Sequence, residues 1–375
     1  MSELTEDSFE RRPQTSTRDK ADLHRRLVGW LSQRLPEPAV SELVVPEGTG
    51  MSSETLLFDT HWDDNGFRRT QSCAARLAPA ADAMPVFRTY DLERQFRVMS
   101  LAGERTKVPV PRMLWYEGDD AALGSPFFVM ERVEGEVPSD IPPYTFDGWV
   151  LAASDAERAR LQRASVEVLA LLHGMDAEPA DVSFLELDVA GDTALRRHVA
   201  DQHAYYEWVA ADGIRSPLIE RALRWLDDNW PSESDPVLSW GDARIGNILY
   251  RDFEPVAVLD WEMAALGPRE IDLGWTIYLH RFFQDLTEQM ELPGLPGFLR
   301  RDDVATTYEE LSGYAPRDVD WYMTYAALRH GIIMFRIARR SIHFGEAEVP
   351  EDPDDMILHR ATIEQMLEGT YWSRL

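Results

Sequence analysis

Three side chains between residues 242 and 260 have the types and the spacing that phosphoryl chemistry requires. Asp242 follows Gly241 after an apolar stretch, Asn247 lies five residues later, and Asp260 ends the apolar run VAVLD. Two apolar strands between Asn247 and Asp260 would return the second side chain beside the first. Mg²⁺ prefers such hard oxygen ligands and keeps several waters, so the pair suits a metal bound to the phosphates of a nucleotide. Asp242 would then accept the proton of a hydroxyl nucleophile.

These residues lie in a β-rich segment, 236–264, inside a part of the chain that is dominated by helical patterns. Apolar residues on both sides of this segment recur at the three- and four-residue spacing of a helix with one buried face. The predicted helices cover 155–174, 194–212, 217–229, 271–290, 302–312 and 317–343.

The N-terminal third of the chain has a different pattern. An amphipathic helix is predicted at 21–35, and a second at 89–102. Asn65-Gly66 favours a tight hairpin, because both residues tolerate positive φ. Strands are predicted at 41–47, 54–62, 67–77, 113–118 and 125–133, which together indicate a small α+β unit.

A proline-rich segment, 134–149, is predicted to connect this unit to the helical part. The predicted organisation is a mobile tail at 1–20, an N-terminal nucleotide-binding lobe at 21–133 and a C-terminal catalytic and substrate-binding lobe at 134–375.

Composition excludes several classes of protein. Of the 375 residues, 66 are acidic and 38 are basic, which gives a net charge of −28. A field of that sign repels phosphate backbones and anionic lipid, so we expect neither nucleic acid nor a membrane as partner. The single cysteine, Cys73, excludes a disulfide framework and a multi-cysteine metal site. The charged N-terminal stretch has no apolar core of a signal peptide, so we expect a cytoplasmic protein.

Several sequence blocks in order carry a resemblance to a known family: SSET, VPVPR, LGSPFFVMERVEG, GDARIGN, VLDWEMAALG and IDLGW. The chain resembles the aminoglycoside phosphotransferase and choline kinase family over roughly 40–345. It is most similar to the actinobacterial proteins assigned as aminoglycoside phosphotransferases and to the kinase-like domain fused to some acyl-CoA dehydrogenases. The resemblance implies an α+β, protein-kinase-like fold with a small five-stranded N-lobe and a larger, mainly helical C-lobe. It also implies ATP and Mg²⁺ as cofactors, and transfer of the γ-phosphoryl group to a hydroxyl of a small molecule.

The resemblance assigns roles to individual residues of the C-terminal part. Asp242 matches the base that accepts the hydroxyl proton, and Arg244 occupies the place of a lysine near the transferred phosphoryl group. Asn247 and Asp260 match the Mg²⁺ ligands. Two further residues have supporting roles. Glu262 is placed where it could hold a metal-bound water or the substrate, and Asp272 matches an aspartate that braces the catalytic loop.

In the N-terminal part the resemblance predicts nucleotide contacts. The backbone groups of Glu131 and Val133 match those that hydrogen-bond adenine in the hinge. The glycine-rich turn over the phosphates contains five predicted contacts: Gly48, Thr49, Gly50, Ser52 and Ser53.

Three positions depart from the family pattern. The strand lysine that clamps the α- and β-phosphates is Arg76, which is still cationic and can fork two phosphate oxygens. Its glutamate partner is Gln95, which forms hydrogen bonds but no ion pair. The histidine two residues before the predicted base is Trp240, and we expect no effect from that change because the histidine is mainly structural in the family.

The sequence leaves alternatives open. Arg76 and Gln95 also fit a pseudokinase that binds nucleotide without turnover. The acceptor could be an aminoglycoside, which suits an acidic chain, or a hydroxyacyl-CoA or another hydroxylated metabolite. The arginine-rich segment 329–340 could receive an anionic substrate, although pairing with the acidic surface is favoured. His173 is expected to be a packed helix residue, and Cys73 an inert one. The sequence does not specify the oligomeric state.

Overall fold

The computed structural model describes residues 18–46, 53–79 and 84–374. These residues form two compact units. Unit 1 contains the residues up to Glu104 together with Pro109–Glu134, and unit 2 contains Arg105–Val108 and the residues from Gly135 onward.

Unit 1 is built on a five-stranded antiparallel sheet with strand order β1-β2-β3-β5-β4. The predicted hairpin is present, because Asp64 pairs with Phe67 across Asn65-Gly66, and both turn residues have positive φ. The elements of unit 1 in chain order are α1 (Lys20–Leu31), β1 (Ala39–Val40), β2 (Glu54–Asp64), β3 (Phe67–Leu77), α2 (Leu92–Arg105), β4 (Met113–Glu117), α3 (Asp120–Leu123) and β5 (Phe127–Glu131).

The two predicted helices of unit 1 are displaced from their predicted bounds by local capping. Asp19 caps α1 through the N–H of Ala21, so the helix begins at Lys20, the last residue of the predicted tail. That helix ends at Leu31 because residues 32–35 turn ahead of Pro36. At α2, the Asp91 side chain accepts the N–H of Arg94 at 2.8 Å, and the helix therefore begins at Leu92.

The prediction of a strand at 41–47 is also wrong. The Ser41 hydroxyl accepts the backbone N–H of Asp59 at 2.9 Å, which replaces a ladder bond by a side-chain bond. The strand is therefore confined to Ala39–Val40, and Val44 makes only an isolated bridge to Leu57. Residues 47–50 lie outside the described residues.

Alternation along the strands gives the sheet two different faces. One face carries Phe58, Cys73 and Phe127, which are buried in a core that includes Leu27 and Trp30 of α1. The opposite face carries Phe128, and Phe96 of α2 packs on it with ring centroids 6.4 Å apart. The sheet is therefore covered on both faces.

Unit 2 is mainly helical and confirms the predicted helical patterns. Ser154 and Glu157 form a capping box that begins α5. A C-terminal helix that the sequence did not predict follows the last predicted one. The helices are α4 (Trp149–Ala152), α5 (Asp155–His173), α6 (Pro179–Val182), α7 (Ala194–Val209), α8 (Pro217–Asp228), α9 (Glu270–Gln289), α10 (Arg301–Ser312), α11 (Val319–His343) and α12 (Arg360–Glu368).

The predicted β-rich segment forms two small antiparallel pairs within unit 2. β6 (Val237–Ser239) pairs with β9 (Ala265–Gly267), and β7 (Ile248–Arg251) pairs with β8 (Glu254–Val258). The loops between these pairs carry Asp242 and Asp260. In the part of the chain that the structure describes, no helix is long and apolar enough to cross a bilayer.

Candidate active site

A tight backbone turn carries Asp242 out of β6. Gly241 has a φ of +92°, and a Cβ at this position would lie 2.2 Å from the backbone oxygen of Met263. Only glycine avoids both the strain of positive φ and this contact. The close approach presses the loop that begins at Trp240 against the segment that follows Asp260.

Three N–H groups hold the carboxylate of Asp242. The indole of Trp275 on α9 donates to Oδ1 at 2.7 Å. The Asn247 amide donates to Oδ2 at 2.7 Å, and Nε of Arg244 donates to the same oxygen at 3.2 Å. The carboxylate therefore has a defined orientation, while the side chain keeps 16% of its surface exposed.

The β7–β8 hairpin reverses the direction of the chain between Asn247 and Asp260, as the sequence predicted. Ile248 pairs with Val258, and the N–H of Leu259 donates to the Asn247 carbonyl at 2.9 Å. This register brings the backbone at Asp260 next to Asn247. Asp260 itself has a φ of +58°, an uncommon conformation for an aspartate and one that is enriched at functional sites.

Arg244 lies between two carboxylates. It donates through Nη1 to Asp140 and through Nε to Asp242. Burial opposes the charge of Arg244, but the two carboxylates raise the pKa of its guanidinium. Gly246 makes room for this arrangement, since a Cβ there would lie 2.6 Å from Nη1 of Arg244 and 2.9 Å from Oδ1 of Asp140.

Asp272 is fully buried and binds the start of the loop that carries Asp242. Its carboxylate accepts the backbone N–H groups of Trp240 and Gly241 at 2.7 and 2.9 Å, and the Ser239 hydroxyl at 2.7 Å. His173 donates to it through Nε2 at 3.0 Å. Burial alone would raise the pKa of Asp272, but the His173 hydrogen bond and charge, with the loop donors, hold that pKa below its ordinary value.

Trp240, which stands in place of the family histidine, connects the two loops. Its indole N–H lies 3.0 Å from the Leu259 carbonyl and 3.2 Å from that of Asp260. The side chain is buried and packs on Trp261, with ring centroids 6.1 Å apart. Trp240 therefore supplies a hydrogen-bond donor between the Asp242 loop and the Asp260 loop.

In unit 1, Arg76 lies on the sheet face that α2 covers. It pairs in register with Phe128, on which Phe96 of α2 packs, so Arg76 and α2 lie on the same side. Gln95 is buried on α2 with 4% of its surface exposed. The structure thus places Arg76 on the face of the sheet that is covered by α2, the helix that contains Gln95.

Four residues of the predicted glycine-rich turn lie outside the described residues: Gly48, Thr49, Gly50 and Ser52. Ser53, the last residue of the turn, precedes β2 and is 3% exposed. Its hydroxyl is enclosed and makes no hydrogen bond within the described ranges.

The segment after β5 contains the predicted adenine contacts. The N–H of Glu131 donates to the Arg112 carbonyl at 2.9 Å, and the N–H of Arg132 donates to Ser72 at 3.0 Å. Glu131 can therefore offer adenine only its carbonyl. Val133 takes part in no backbone hydrogen bond to the residues that the structure describes.

The arginines of segment 329–340 are buried in unit 2, and one of them, Arg339, pairs with an acidic residue, Asp212. Arg329 stacks on Trp275 with its guanidinium carbon 4.5 Å from the ring centroid, and Arg336 stacks on Trp208 at 4.3 Å. Arg339 donates to the Val209 carbonyl and to Asp212. These cations are part of the packing of α11.

Two further expectations agree with the structure. His173 is buried in α5 and bonds Tyr308 as well as Asp272. Burial, with the nearby charge of Asp59, raises the pKa of the Cys73 thiol to about 12, so the thiol is unreactive. Glu262 is half-buried two residues beyond Asp260 and remains a predicted site residue.

Sequence reasoning missed three residues that contact the site. Trp275 is one of twelve tryptophans in the sequence and was not predicted as a site residue. Asp140 lies in the proline-rich connection, and His173 was expected only to pack. The motif IDLGW, which contains Trp275 three residues after Asp272, was a local signal for that residue; the other two lie 104 and 99 residues from their partners.

Known proteins resemble this chain in sequence and in fold. The phosphotransferase enzyme family (APH) matches residues 68–313, about two thirds of the chain. "Acyl-CoA dehydrogenase family member 11" of Mus musculus is 27% identical over 85% of this chain, but the chain spans only 39% of that protein.

Two solved structures share the fold. A candidate aminoglycoside phosphotransferase of Ralstonia eutropha is 21% identical with a TM-score of 0.60, covering 93% of this chain and 97% of that one. A thermostable mutant of aminoglycoside phosphotransferase APH(4)-Ia, solved as a ternary complex with ADP and hygromycin B, is 16% identical with a TM-score of 0.53, covering 91% and 98%. The predicted kinase-like α+β fold is confirmed, and the chain belongs to the phosphotransferase enzyme family.

Proposed function

We propose that this phosphotransferase is an ATP- and Mg²⁺-dependent kinase that transfers the γ-phosphoryl group to a hydroxyl of a small molecule. The observation that carries the proposal is the orientation of the Asp242 carboxylate. It is held by three N–H donors, and 16% of its side-chain surface remains exposed to solvent. A carboxylate fixed in this way is suited to accept a proton from a bound hydroxyl.

The residues next to Asp242 fit a magnesium ion. Asn247 donates its amide N–H groups to Asp242, which directs its amide oxygen away from that carboxylate. Asp260 supplies a second hard oxygen ligand on the adjacent loop. One carboxylate with one amide oxygen, completed by phosphates and water, is typical of a magnesium–nucleotide site. The ion would neutralise charge on the phosphates. Within the described residues, no cluster of three His, Cys, Asp or Glu side chains could bind a metal unaided.

Arg244 is proposed to contact the transferred phosphoryl group. Its guanidinium is fixed by Asp140 and Asp242, so it presents a charge in a constant position. Asp272 is proposed to brace the loop through the N–H groups of Trp240 and Gly241. Glu262 is proposed to hold a metal-bound water or the substrate.

The nucleotide contacts in unit 1 are proposed from the same resemblance. Arg76 would bind the α- and β-phosphates, and the buried Gln95 would orient it by a hydrogen bond. The enclosed Ser53 hydroxyl, which lacks a partner within the described ranges, supports a phosphate contact by the turn Gly48–Ser53. The Glu131 carbonyl and the Val133 backbone would bind adenine.

The acceptor is proposed to be a hydroxylated small molecule of one of two classes. The structural relative bound to hygromycin B suggests an aminoglycoside. The sequence relatives named as acyl-CoA dehydrogenase family members suggest a hydroxyacyl-CoA or a related metabolite. A thermal-shift screen with ATP–Mg²⁺ and a panel containing both classes would separate them, because a ligand that binds only the native state raises its apparent stability.

The proposed base is tested by Asp242→Asn. This variant keeps the shape of the side chain but removes its basicity, so phosphoryl transfer should fall by about 10²-fold or more while the Kd for ATP–Mg²⁺ stays within about twofold. Asp252→Asn makes the same change at the exposed tip of the β7–β8 hairpin and serves as the control. An Asp242→Asn protein that transfers phosphate at the parent rate would refute the mechanism.

A nucleotide-binding pseudokinase is the second candidate, and the pair Arg76 and Gln95 favours it. The arrangement of Asp242, Asn247 and Asp260 opposes it. Release of radiolabelled phosphate from ATP distinguishes the two, because a kinase without its acceptor still transfers phosphate slowly to water. No release above that of Asp242→Asn would support the pseudokinase.

A further inference from the structure

The hydrogen bonds of Asp242 distinguish its two carboxylate oxygens. A carboxylate oxygen has about two lone-pair positions. Oδ2 accepts N–H groups from both Asn247 and Arg244, which occupies both positions. Oδ1 accepts only the indole N–H of Trp275 among the residues that the structure describes. One lone pair on Oδ1 is therefore available for a proton.

The direction of that lone pair depends on Trp275. The indole N–H lies 2.7 Å from Oδ1 and occupies one of its two acceptor positions. A donor at one lone pair of an sp² oxygen determines where the other lone pair points. Trp275 is nearly fully buried, with 2% of its surface exposed, so its ring has little freedom to move.

Arg329 lies against the face of Trp275. Its guanidinium carbon is 4.5 Å from the Trp275 ring centroid and 5.7 Å from that of Tyr325, and the residue is 1% exposed. Nη2 donates to the Gly241 carbonyl at 3.3 Å, whereas Nε and Nη1 make no hydrogen bond within the described ranges. Arginine remains charged when buried, so the ring faces and this carbonyl provide the stabilising contacts of the cation.

Arg329 is therefore linked to Asp242 through two neighbouring groups and not by a direct contact. It bonds the carbonyl of Gly241, the residue before Asp242, and it stacks on the indole that bonds Oδ1. A shorter side chain at 329 would leave a gap behind the indole and release the Gly241 carbonyl. Both changes would allow the Asp242 carboxylate to turn.

We propose that Trp275 and Arg329 are positioning residues that aim the free lone pair of Asp242 Oδ1 at the hydroxyl proton. The inference rests on the proposed function of Asp242 as a base. In the step concerned, the acceptor O–H bond breaks, its proton goes to Oδ1, and the hydroxyl oxygen forms the new bond to phosphorus as ADP leaves. A misplacement of about 1 Å in such a group can cost about 10²-fold in rate.

The test measures ATP hydrolysis by the full chain with Mg²⁺, so that no identified acceptor is needed. Trp275→Phe keeps an aromatic face for Arg329 but removes the N–H donor. We expect kcat to fall at least about tenfold with KM for ATP unchanged. Arg329→Lys should give a smaller fall in kcat at the same KM, since the charge remains while the planar stack is lost.

Trp208→Phe is the matched control, because Trp208 also carries a buried arginine of α11, Arg336, at 4.3 Å. This variant should keep the parent kcat. The double variant Asp242→Asn with Trp275→Phe should hydrolyse ATP no more slowly than Asp242→Asn alone, since Trp275 acts through the carboxylate. A structural role would instead add a further loss of rate and raise KM.

The outcomes separate the two proposals. Asp242→Asn at the parent rate overturns the proposed base. If Asp242→Asn is slow but the single variant Trp275→Phe hydrolyses ATP at the parent rate, only the positioning role is overturned. If Trp275→Phe lowers the melting temperature so far that its rate cannot be measured, parent kcat in Arg329→Lys overturns the role of Arg329, and a selective fall in kcat supports it.

Discussion

Lowering the pH from 7 to 5 is expected to destabilise unit 2 through His280, which lies on α9. The ring is 4% exposed and has one partner on each nitrogen. Nε2 lies 3.1 Å from the Leu295 carbonyl and must carry the proton, so Nδ1 accepts the Tyr144 hydroxyl at 2.8 Å. Burial lowers the pKa of His280 from 6.5 to about 3, and the charge of Arg281 acts in the same direction.

The sign and the size of the effect follow from linkage. In the unfolded chain the histidine takes up a proton below pH 6.5, while in the folded chain it stays neutral down to about pH 3. The contribution of neutral His280 to the free energy of unfolding is fully present above pH 6.5 and is lost progressively between pH 6.5 and 3. At pH 5 the solution is 1.5 units below the unfolded pKa, and at about 1.36 kcal/mol per unit the loss is about 2 kcal/mol.

The assay is urea unfolding followed by circular dichroism at pH 7 and pH 5. His280→Gln can donate to Leu295 and accept from Tyr144 but does not titrate, so its loss of stability between the two pH values should be about 2 kcal/mol smaller than that of the parent. His343→Gln, at an exposed histidine that is the last residue of α11, controls for removal of one histidine. Equal losses in the parent and His280→Gln would refute the reasoning.

Three other predictions concern the site. Asp260→Ala should weaken ATP–Mg²⁺ binding by about tenfold or more without unfolding the chain, since it removes a proposed magnesium ligand; calorimetric titration showing parent affinity would contradict the assignment. Arg76→Ala should weaken ATP binding by about tenfold to 10²-fold but leave adenosine binding unchanged, with partial recovery in Arg76→Lys. Equal effects on ATP and adenosine would assign Arg76 a structural role. Gly241→Ala should lower the free energy of unfolding by more than about 2 kcal/mol, because its Cβ would lie 2.2 Å from Met263 O at a φ of +92°; unchanged urea midpoints would contradict this.

Local chemistry made much of the fold predictable. The Asn65-Gly66 hairpin formed because two residues that tolerate positive φ separate two alternating strands. The helix at 155–174 began where Ser154 and Glu157 form a capping box. The predicted element boundaries were wrong where a single side chain bonds a backbone group, as the Ser41 hydroxyl does with the N–H of Asp59. Strand propensity does not report such competition.

The relation between Asn247 and Asp260 was also predictable, since two apolar strands joined by a short turn must run antiparallel and bring their ends together. The same holds for the order of the motifs and for the family they indicate. For the hairpin and for each single motif, the information lies within a few tens of residues of continuous sequence.

Only the tertiary structure decided what surrounds Asp242. Trp275 reaches it across 33 residues, Asp140 reaches Arg244 across 104, and His173 reaches Asp272 across 99. A tryptophan that donates to a carboxylate and one that fills a core have the same local pattern, because apolar periodicity records burial and not hydrogen bonding. The arginines of α11 show the converse: their charge favoured pairing with the acidic surface, but stacking on aromatic rings and bonding to carbonyls also stabilise them inside the unit.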